Sequence, residues 1–296
     1  MKYALTVMAH PAVPLPDTII DMMDQALTEA GLNLEGIDTL SEGLALDGFF
    51  EAESAPNLDD AFKDMAFDHA ITAVETRRKS LLIADMDSTI ITSESLDDLA
   101  RLSGKGEEVA EITARSMRGE LDFAGSLIER LKMIGGAPAS LVQDIIDDVV
   151  TNEGAEALVA TMRNHGARTI LASGGFTFLT QVIKDRLGFH EHYANNLILE
   201  DDKIKGEVEM PILDQNAKRV RLDLATEQLG ITAEDVITVG DGANDRGMTE
   251  RAGIGVAYRG KDALKAVADV KLDHADLRGL LWLQGYHDDE ISDQLS

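Results

Sequence analysis

Two aspartates separated by one residue close the stretch LLIADMDST, residues 81–89. An unbroken apolar run predicts a strand covered on both faces, as in a parallel sheet, and Asp85 and Asp87 stand where it must end. Their i, i+2 spacing in extended backbone points both side chains the same way. Like charges held that close cost free energy unless a cation or a shared proton relieves them. The stretch therefore asks for a metal, for proton transfer, or for both. Three further segments offer partners. RTILASGG carries Ser173 into Gly174 and Gly175; NAKRVRLDLATEQLG carries Lys218 near its start; DVITVGDGAND carries Asp241, Asn244 and Asp245. Several carboxylates and no histidine ligand suit a hard cation such as Mg²⁺. Ser173 and the Gly174 amide are donors for phosphoryl oxygens, and glycine lets backbone come close. Lys218 supplies a point charge against the negative charge that develops in phosphoryl transfer. Asp85 has the chemistry of a carboxylate nucleophile that forms an aspartyl-phosphate, and Asp87 that of a proton shuttle.

For these residues to meet, the segments must end side by side. From about residue 151 to 285 helical and strand patterns alternate, which implies right-handed crossovers and a doubly wound parallel sheet with its ligand outside the carboxyl ends of the strands. Residues 94–150 read almost wholly as amphipathic helices divided by glycines or proline, an insertion after the first strand that forms a helical cap. Ahead of the catalytic strand come a short strand (YALTVMA) and a helix (DTIIDMMDQALTEAG) opened by Asp17 as N-cap and closed by Gly31. A segment with a turn glycine at Gly48 and a second helix over roughly 58–77 follow. The expectation is an α/β chain: an N-terminal α+β unit at 1–77, a core at 78–93 and 151–296, and a cap at 94–150.

Composition narrows the partners. The chain has 296 residues, 44% apolar and 27% charged, with a net charge of −27. Such acidity argues against nucleic acid or an anionic membrane surface as the main partner. Cysteine is absent, so there is no disulfide, thiolate metal site or cysteine nucleophile. No apolar run approaches 18 residues and the N-terminal stretch lacks a signal-peptide pattern, so a soluble cytoplasmic protein is expected.

DMDST, SGGF, a single lysine and GDGAND, in this order, resemble the four motifs of haloacid-dehalogenase-like phosphatases. With the helical insertion they resemble the phosphoserine phosphatase family across about residues 80–285. The resemblance implies a HAD-like Rossmannoid core and Mg²⁺-dependent hydrolysis of O-phospho-L-serine through an aspartyl-phosphate, the last step of L-serine biosynthesis. It implies that Asp85 is the nucleophile and Asp87 the general acid that then activates water. The Mg²⁺ ligands would be Asp85, the backbone carbonyl of Asp87, and Asp241, with Asp245 helping to hold the site. Ser173, Gly174 and Lys218 match phosphoryl-binding groups, and Asn244 a residue near the attacking water. Glu94 matches the acid that receives the substrate ammonium, Arg130 the arginine that takes its carboxylate, and Met117 and Phe123 apolar positions of the cap pocket. Lys203 and Lys205 compete with Lys218 by spacing, and Arg115 and Arg118 with Arg130. Residues 1–77 are similar in pattern to an ACT-like regulatory domain; homodimerisation, amino-acid sensing and a packed extension all stay open for them. Three rivals to the hydrolase remain: a transferase passing the phosphoryl group from phosphoserine to another hydroxyl, a phosphatase for another small metabolite, and a catalytically silent sensor.

Overall fold

The computed structural model describes residues 1–118 and 120–295. The chain begins with β1 (Lys2–Met8), α1 (Ile19–Glu29), β2 (Gly36–Ser41), β3 (Ala45–Glu51) and β4 (Asp68–Ala73). These strands form a sheet in the order β2-β3-β1-β4, with β1 antiparallel to both its neighbours. Leu5 and Val7 of β1 share a core with Met23 and Leu27 of α1 and with Phe50, Phe62 and Phe67. Met8, Leu40 and Ala70 instead join the main core of the molecule.

Three expectations for this region are corrected. The second helix over 58–77 is not formed: turns lead into β4, whose residues alternate between buried and half-buried. Pairing with β1, from Tyr3 opposite Ala73 to Met8 opposite Asp68, rewards a period-2 pattern rich in β-branched residues over any helical tendency. Gly48 lies inside β3 opposite Leu5 rather than in a turn; a Cβ there would come within 2.7 Å of Met23 Cε. The reversal between β2 and β3 uses Gly43, at φ +70°. Helix α1 starts after Thr18, and among the described residues no side chain caps it.

The rest of the chain runs β5 (Leu81–Ala84), α2 (Ser95–Leu102), α3 (Gly106–Met117), α4 (Phe123–Ile134), α5 (Leu141–Asp148), α6 (Ala155–Asn164), β6 (Arg168–Phe176), α7 (Thr177–Leu187) and β7 (Glu191–Asn195). It continues through β8 (Leu197–Glu200), β9 (Lys203–Val208), α8 (Gln215–Leu229), β10 (Val236–Gly240), α9 (Arg246–Thr249), β11 (Ile254–Tyr258), α10 (Asp262–Lys265), β12 (Val270–Leu272) and α11 (Gly279–Trp282). Among the described residues six strands form a parallel sheet in the order β12-β11-β10-β5-β6-β7. β5 is central and wholly buried, and its side chains divide between two layers. Leu81 and Ile83 share a cluster with Leu222 and Ala225 of α8; Leu82 and Ala84 share one with Leu158 of α6 and with Leu280 and Trp282. The strand order reverses at β5, where sheets of this kind open a crevice.

Helices α2–α5 follow β5 through a tight turn and lead on to α6. A hairpin of β8 and β9, absent from the sequence reading, meets the end of α4: Gly136 N–H donates to Ile204 O and Ile204 N–H to Ala137 O, each at 2.8 Å. β6 does not stop at Ser173 but runs on to Phe176, its pairing with β7 broken between Ala172 and Phe176. No helix among the described residues is long and apolar enough to cross a membrane.

Candidate active site

Asp85 follows the last residue of β5, its N–H donating to Val239 O of the neighbouring β10 at 2.9 Å. Its Oδ1 accepts the Met86 N–H at 2.7 Å and the Lys218 ammonium at 2.7 Å, while Asn244 Nδ2 stands 3.5 Å from Oδ2. The chain then reverses through Ser88, held at φ +55°. This puts Asp87 among a different set of partners. Its Oδ1 accepts the Ser95 N–H at 2.7 Å and its Oδ2 the Ser173 hydroxyl at 2.9 Å. Ser173 Oγ in turn accepts the Gly175 N–H at 2.8 Å. A Cβ on Gly175 would sit 2.6 Å from Asp87 Oδ2, and one on Gly174 2.9 Å from the Phe123 ring, so glycine at 175 lets the loop close on the aspartate and glycine at 174 lets Phe123 pack against it.

The loop after β10 supplies the remaining charges. Asp245 Oδ2 accepts the N–H groups of Asp241 and Gly242, both at 3.1 Å, and its Oδ1 takes the Lys218 ammonium at 2.5 Å. Asp85, Asp241 and Asp245 each offer an oxygen within 4.8 Å of the others, and all three are buried. Burial works against the Lys218 charge, but Asp245 and Asp85 outweigh it and raise its pKa. Lys218 therefore stays protonated. Burial also drives the Asp85 pKa well up, reinforced by Asp245 and opposed by Lys218. The cause is an excess of buried negative charge: Asp85, Asp87, Asp241 and Asp245 are answered by Lys218 and by Lys261, whose ammonium lies 2.9 Å from Asp241 Oδ2. That excess, presented by hard oxygen donors, fits a divalent metal ion. Asp87 is also raised, first by burial, against hydrogen bonds from Ser95 and Ser173, which suits a carboxyl that takes up and returns a proton.

Two more predicted residues lie close enough to Asp87 to feel its charge. Glu94 keeps contact with solvent yet is crowded by protein on its inner side; that desolvation, then the Asp87 charge, raise its pKa to about 7, while Ser88 and Lys261 oppose the rise. Ser88 Oγ donates to its Oε1 at 2.8 Å. Arg130 is 17% exposed and, among the described residues, has no carboxylate closer than Asp97 at 4.0 Å. Burial pulls its pKa down against the charges of Asp97, Glu94 and Asp87. Arg115 and Arg118 are committed elsewhere: Arg115 to Glu129 at 2.9 Å and Arg118 to Glu120 at 2.6 Å. Lys203 and Lys205 sit on β9, with Lys205 facing Glu207 at 3.4 Å, away from the aspartates that Lys218 binds. A small cavity beside the cluster is lined by Phe123, Ser173, Gly174, Lys218, Arg221 and Asn244. The Met117 side chain lies outside the described residues.

Sequence reasoning missed Lys261 and Asn195. Asn195 is buried at the end of β7, donating to Gly174 O and accepting the Leu213 N–H, each at 2.8 Å, so it splints the glycine loop. Neither stands in a motif of its own; only the register of the sheet brings them in.

The sequence pattern of the haloacid dehalogenase-like hydrolases matches residues 82–250, a span holding every residue of the cluster but Lys261. Over 205 residues the chain is 38% identical to the phosphoserine phosphatase of Methanocaldococcus jannaschii, taking in 69% of this chain and 97% of that one. The chain belongs to the haloacid dehalogenase-like hydrolases, in the phosphoserine phosphatase family. A family member solved as a phospho-aspartyl intermediate analogue superposes with a TM-score of 0.65 at 38% identity, covering 69% of this chain and 98% of that one. A HAD family hydrolase of Salmonella enterica serovar Typhi matches along 95% of this chain and 98% of its own, with a TM-score of 0.81 at 25% identity, so its fold extends over the N-terminal sheet as well. Some family members are longer: the chain spans 59% of the phosphoserine phosphatase of Archaeoglobus fulgidus.

Proposed function

We propose that this protein hydrolyses O-phospho-L-serine to L-serine and inorganic phosphate through a phosphoryl group carried on Asp85, as the last step of L-serine biosynthesis. The observation that carries the reading is the unequal setting of two aspartates at one strand end. Asp85 is bonded to a buried ammonium, which favours its carboxylate form against the burial and the Asp245 charge that raise its pKa. Asp87 is bonded instead to neutral donors, the Ser95 N–H and the Ser173 hydroxyl, a setting in which a carboxyl can give up and take back a proton. A relative solved as a phospho-aspartyl intermediate analogue supports a phosphoryl group carried on an aspartate.

In the proposed reaction an Asp85 oxygen attacks phosphorus, the bond from phosphorus to the serine oxygen breaks, and Asp87 gives its proton to that oxygen. Asp87 then takes a proton from water as the water oxygen attacks phosphorus, releasing phosphate and restoring the Asp85 carboxylate. The Ser173 hydroxyl, the Gly174 N–H and the Lys218 ammonium bind phosphoryl oxygens, and Asn244 lies beside the Asp85 oxygen that reacts. Asp85, the carbonyl of Asp87, and Asp241, supported by Asp245, would hold Mg²⁺, which when bound would offset the charge of phosphate and carboxylates. Glu94 receives the substrate ammonium, and Arg130, a guanidinium without a close carboxylate of its own, takes the substrate carboxylate through its planar fork. Residues 94–150 act as the cap that excludes bulk water, residues 78–93 and 151–296 as the catalytic core, and residues 1–77 as a unit attached to it. The proposed place of work is the cytoplasm, which a chain without cysteine fits.

The test is phosphate release from O-phospho-L-serine in Mg²⁺ and in EDTA, beside p-nitrophenyl phosphate, sugar phosphates and added acceptor alcohols. A Mg²⁺-dependent preference for phosphoserine, with free phosphate as product, is expected. Turnover of the other esters alone sinks the substrate, and phosphorylated acceptors sink the hydrolase.

A further inference from the structure

The buried carboxylates of the site are answered by two ammonium groups that differ in kind. Lys218 is 5% exposed and shared between Asp85 and Asp245. Lys261 is 54% exposed and pairs with Asp241 at 2.9 Å. Asp85 and Asp245 are also fixed by backbone N–H groups, of Met86 for the one and of Asp241 and Gly242 for the other. Among the described residues, Lys261 Nζ is the one hydrogen-bond donor on the Asp241 carboxylate.

The backbone of Lys261 is well anchored while its side chain is half exposed. Its N–H donates to the Asp241 carbonyl at 2.7 Å. The residue leads directly into α10, where Lys265 pairs with Asp273 at 2.7 Å, and the Asp273 N–H is held by Asp68 of β4 at 2.9 Å. A half-exposed, flexible side chain on a fixed backbone can give up its carboxylate and take it back, which the buried Lys218 cannot.

We infer that Lys261 is the resident counter-ion of Asp241, a positioning residue that holds this carboxylate while the divalent cation is away and weakens the hold on that cation once it binds. The inference rests on reading Asp85, Asp241 and Asp245 as the cation site, and adds what sets the strength of that site. Three clustered carboxylates with Lys218 alone would grip a divalent ion more tightly. A second positive charge a few ångströms off opposes the ion whether Lys261 stays on one Asp241 oxygen or lets go.

The experiment compares wild type, Lys261→Met and Lys261→Arg, each stripped with EDTA and dialysed. Mg²⁺ affinity is read by calorimetry and Mn²⁺ affinity by electron paramagnetic resonance, with melting temperature measured with and without Mg²⁺ and phosphoserine turnover measured separately. Lys261→Met should bind either ion about tenfold more tightly, melt lower in EDTA and gain more from Mg²⁺, while Lys261→Arg should follow wild type. Lys261→Gln replaces the methionine variant if that one does not fold. Unchanged or weaker binding in Lys261→Met, or an arginine variant that behaves like it, overturns the inference while leaving the cation site standing. If none of the proteins binds either ion, the cation site falls and the inference with it. If the affinities separate as stated but phosphoserine is not hydrolysed, only the substrate assignment fails.

Discussion

Replacing Lys218 with methionine tests whether the cluster is organised as described. The methionine keeps much of the stem and removes the one ammonium shared at 2.7 Å by Asp85 and at 2.5 Å by Asp245. All three side chains are at most 5% exposed, so water cannot take over the lost interaction. Removing one partner of a buried ion pair costs about 3–5 kcal/mol, because the other charge is left uncompensated. The two pairs share a single ammonium, so the cost is not doubled. The expected loss is therefore about 3–5 kcal/mol of unfolding free energy at pH 7 in EDTA, measured by denaturant titration. Two manipulations should return part of it. A divalent ion replaces the missing charge, so saturating Mg²⁺ should narrow the gap to wild type. Acid should do the same: the Asp85 carboxyl is already raised in the folded wild type and rises further without Lys218. A carboxyl with a higher pKa folded than unfolded binds protons better in the folded state. Its contribution is fully present below the unfolded value near 4 and is lost as pH climbs through the folded one. The deficit should thus shrink from pH 7 toward pH 5. A loss below about 1 kcal/mol in EDTA at pH 7, or one that grows on acidification, would refute the charge argument.

Three further outcomes follow from the site. Asp85→Asn should cut phosphoserine turnover by at least about 10³-fold with the circular dichroism spectrum unchanged; sizeable residual turnover counts against the covalent route. Arg130→Met should lower kcat/KM for phosphoserine by roughly 10- to 100-fold, the worth of a charge-assisted hydrogen bond, and leave phosphoethanolamine, which has no carboxylate, nearly untouched; equal losses on both would remove Arg130 from the carboxylate's side. Glu94 must be ionised to receive an ammonium, and its pKa is about 7. The ratio of wild-type to Glu94→Gln kcat/KM on phosphoserine should therefore rise with pH and level off, its midpoint at or below about 7 because a bound cation adds opposing charge. A ratio flat from pH 5 to 8 would sink that assignment.

The clustering of the strand-end aspartates was legible because its signal is local. LLIA is an apolar run that must be buried, and two aspartates follow within three residues, so the buried strand and the carboxylates at its end are written in one stretch. GDGAND is similar: Asp245 reaches back four residues to the N–H of Asp241, a contact that depends only on the loop's own length. Lys261 shows the opposite case. Its contact with Asp241 depends on β11 lying beside β10 and on the turn that follows β11; no spacing within the chain marks it. Asn195 reaches Gly174 because β7 pairs with β6, another fact of register.

The misread segment 58–77 makes the same point for the fold. HAITAV holds both small residues that tolerate a helix and a period-2 alternation, and the sequence alone does not choose between them. The choice comes from outside the segment. β1 offers a free edge across from β3, and the Asp68 carboxylate accepts the N–H groups of Asp273, His274 and Ala275 at 2.9, 2.9 and 2.8 Å just past β12. Those three donors belong to a tight turn and would otherwise lack a partner, so an extended strand that delivers Asp68 to them satisfies both the sheet edge and the turn. A helix over the same residues would leave the β1 edge open and the turn uncapped. Strand β4 is thus the joint between the N-terminal sheet and the edge of the catalytic one, and its conformation is decided by the side it joins rather than by its own residues.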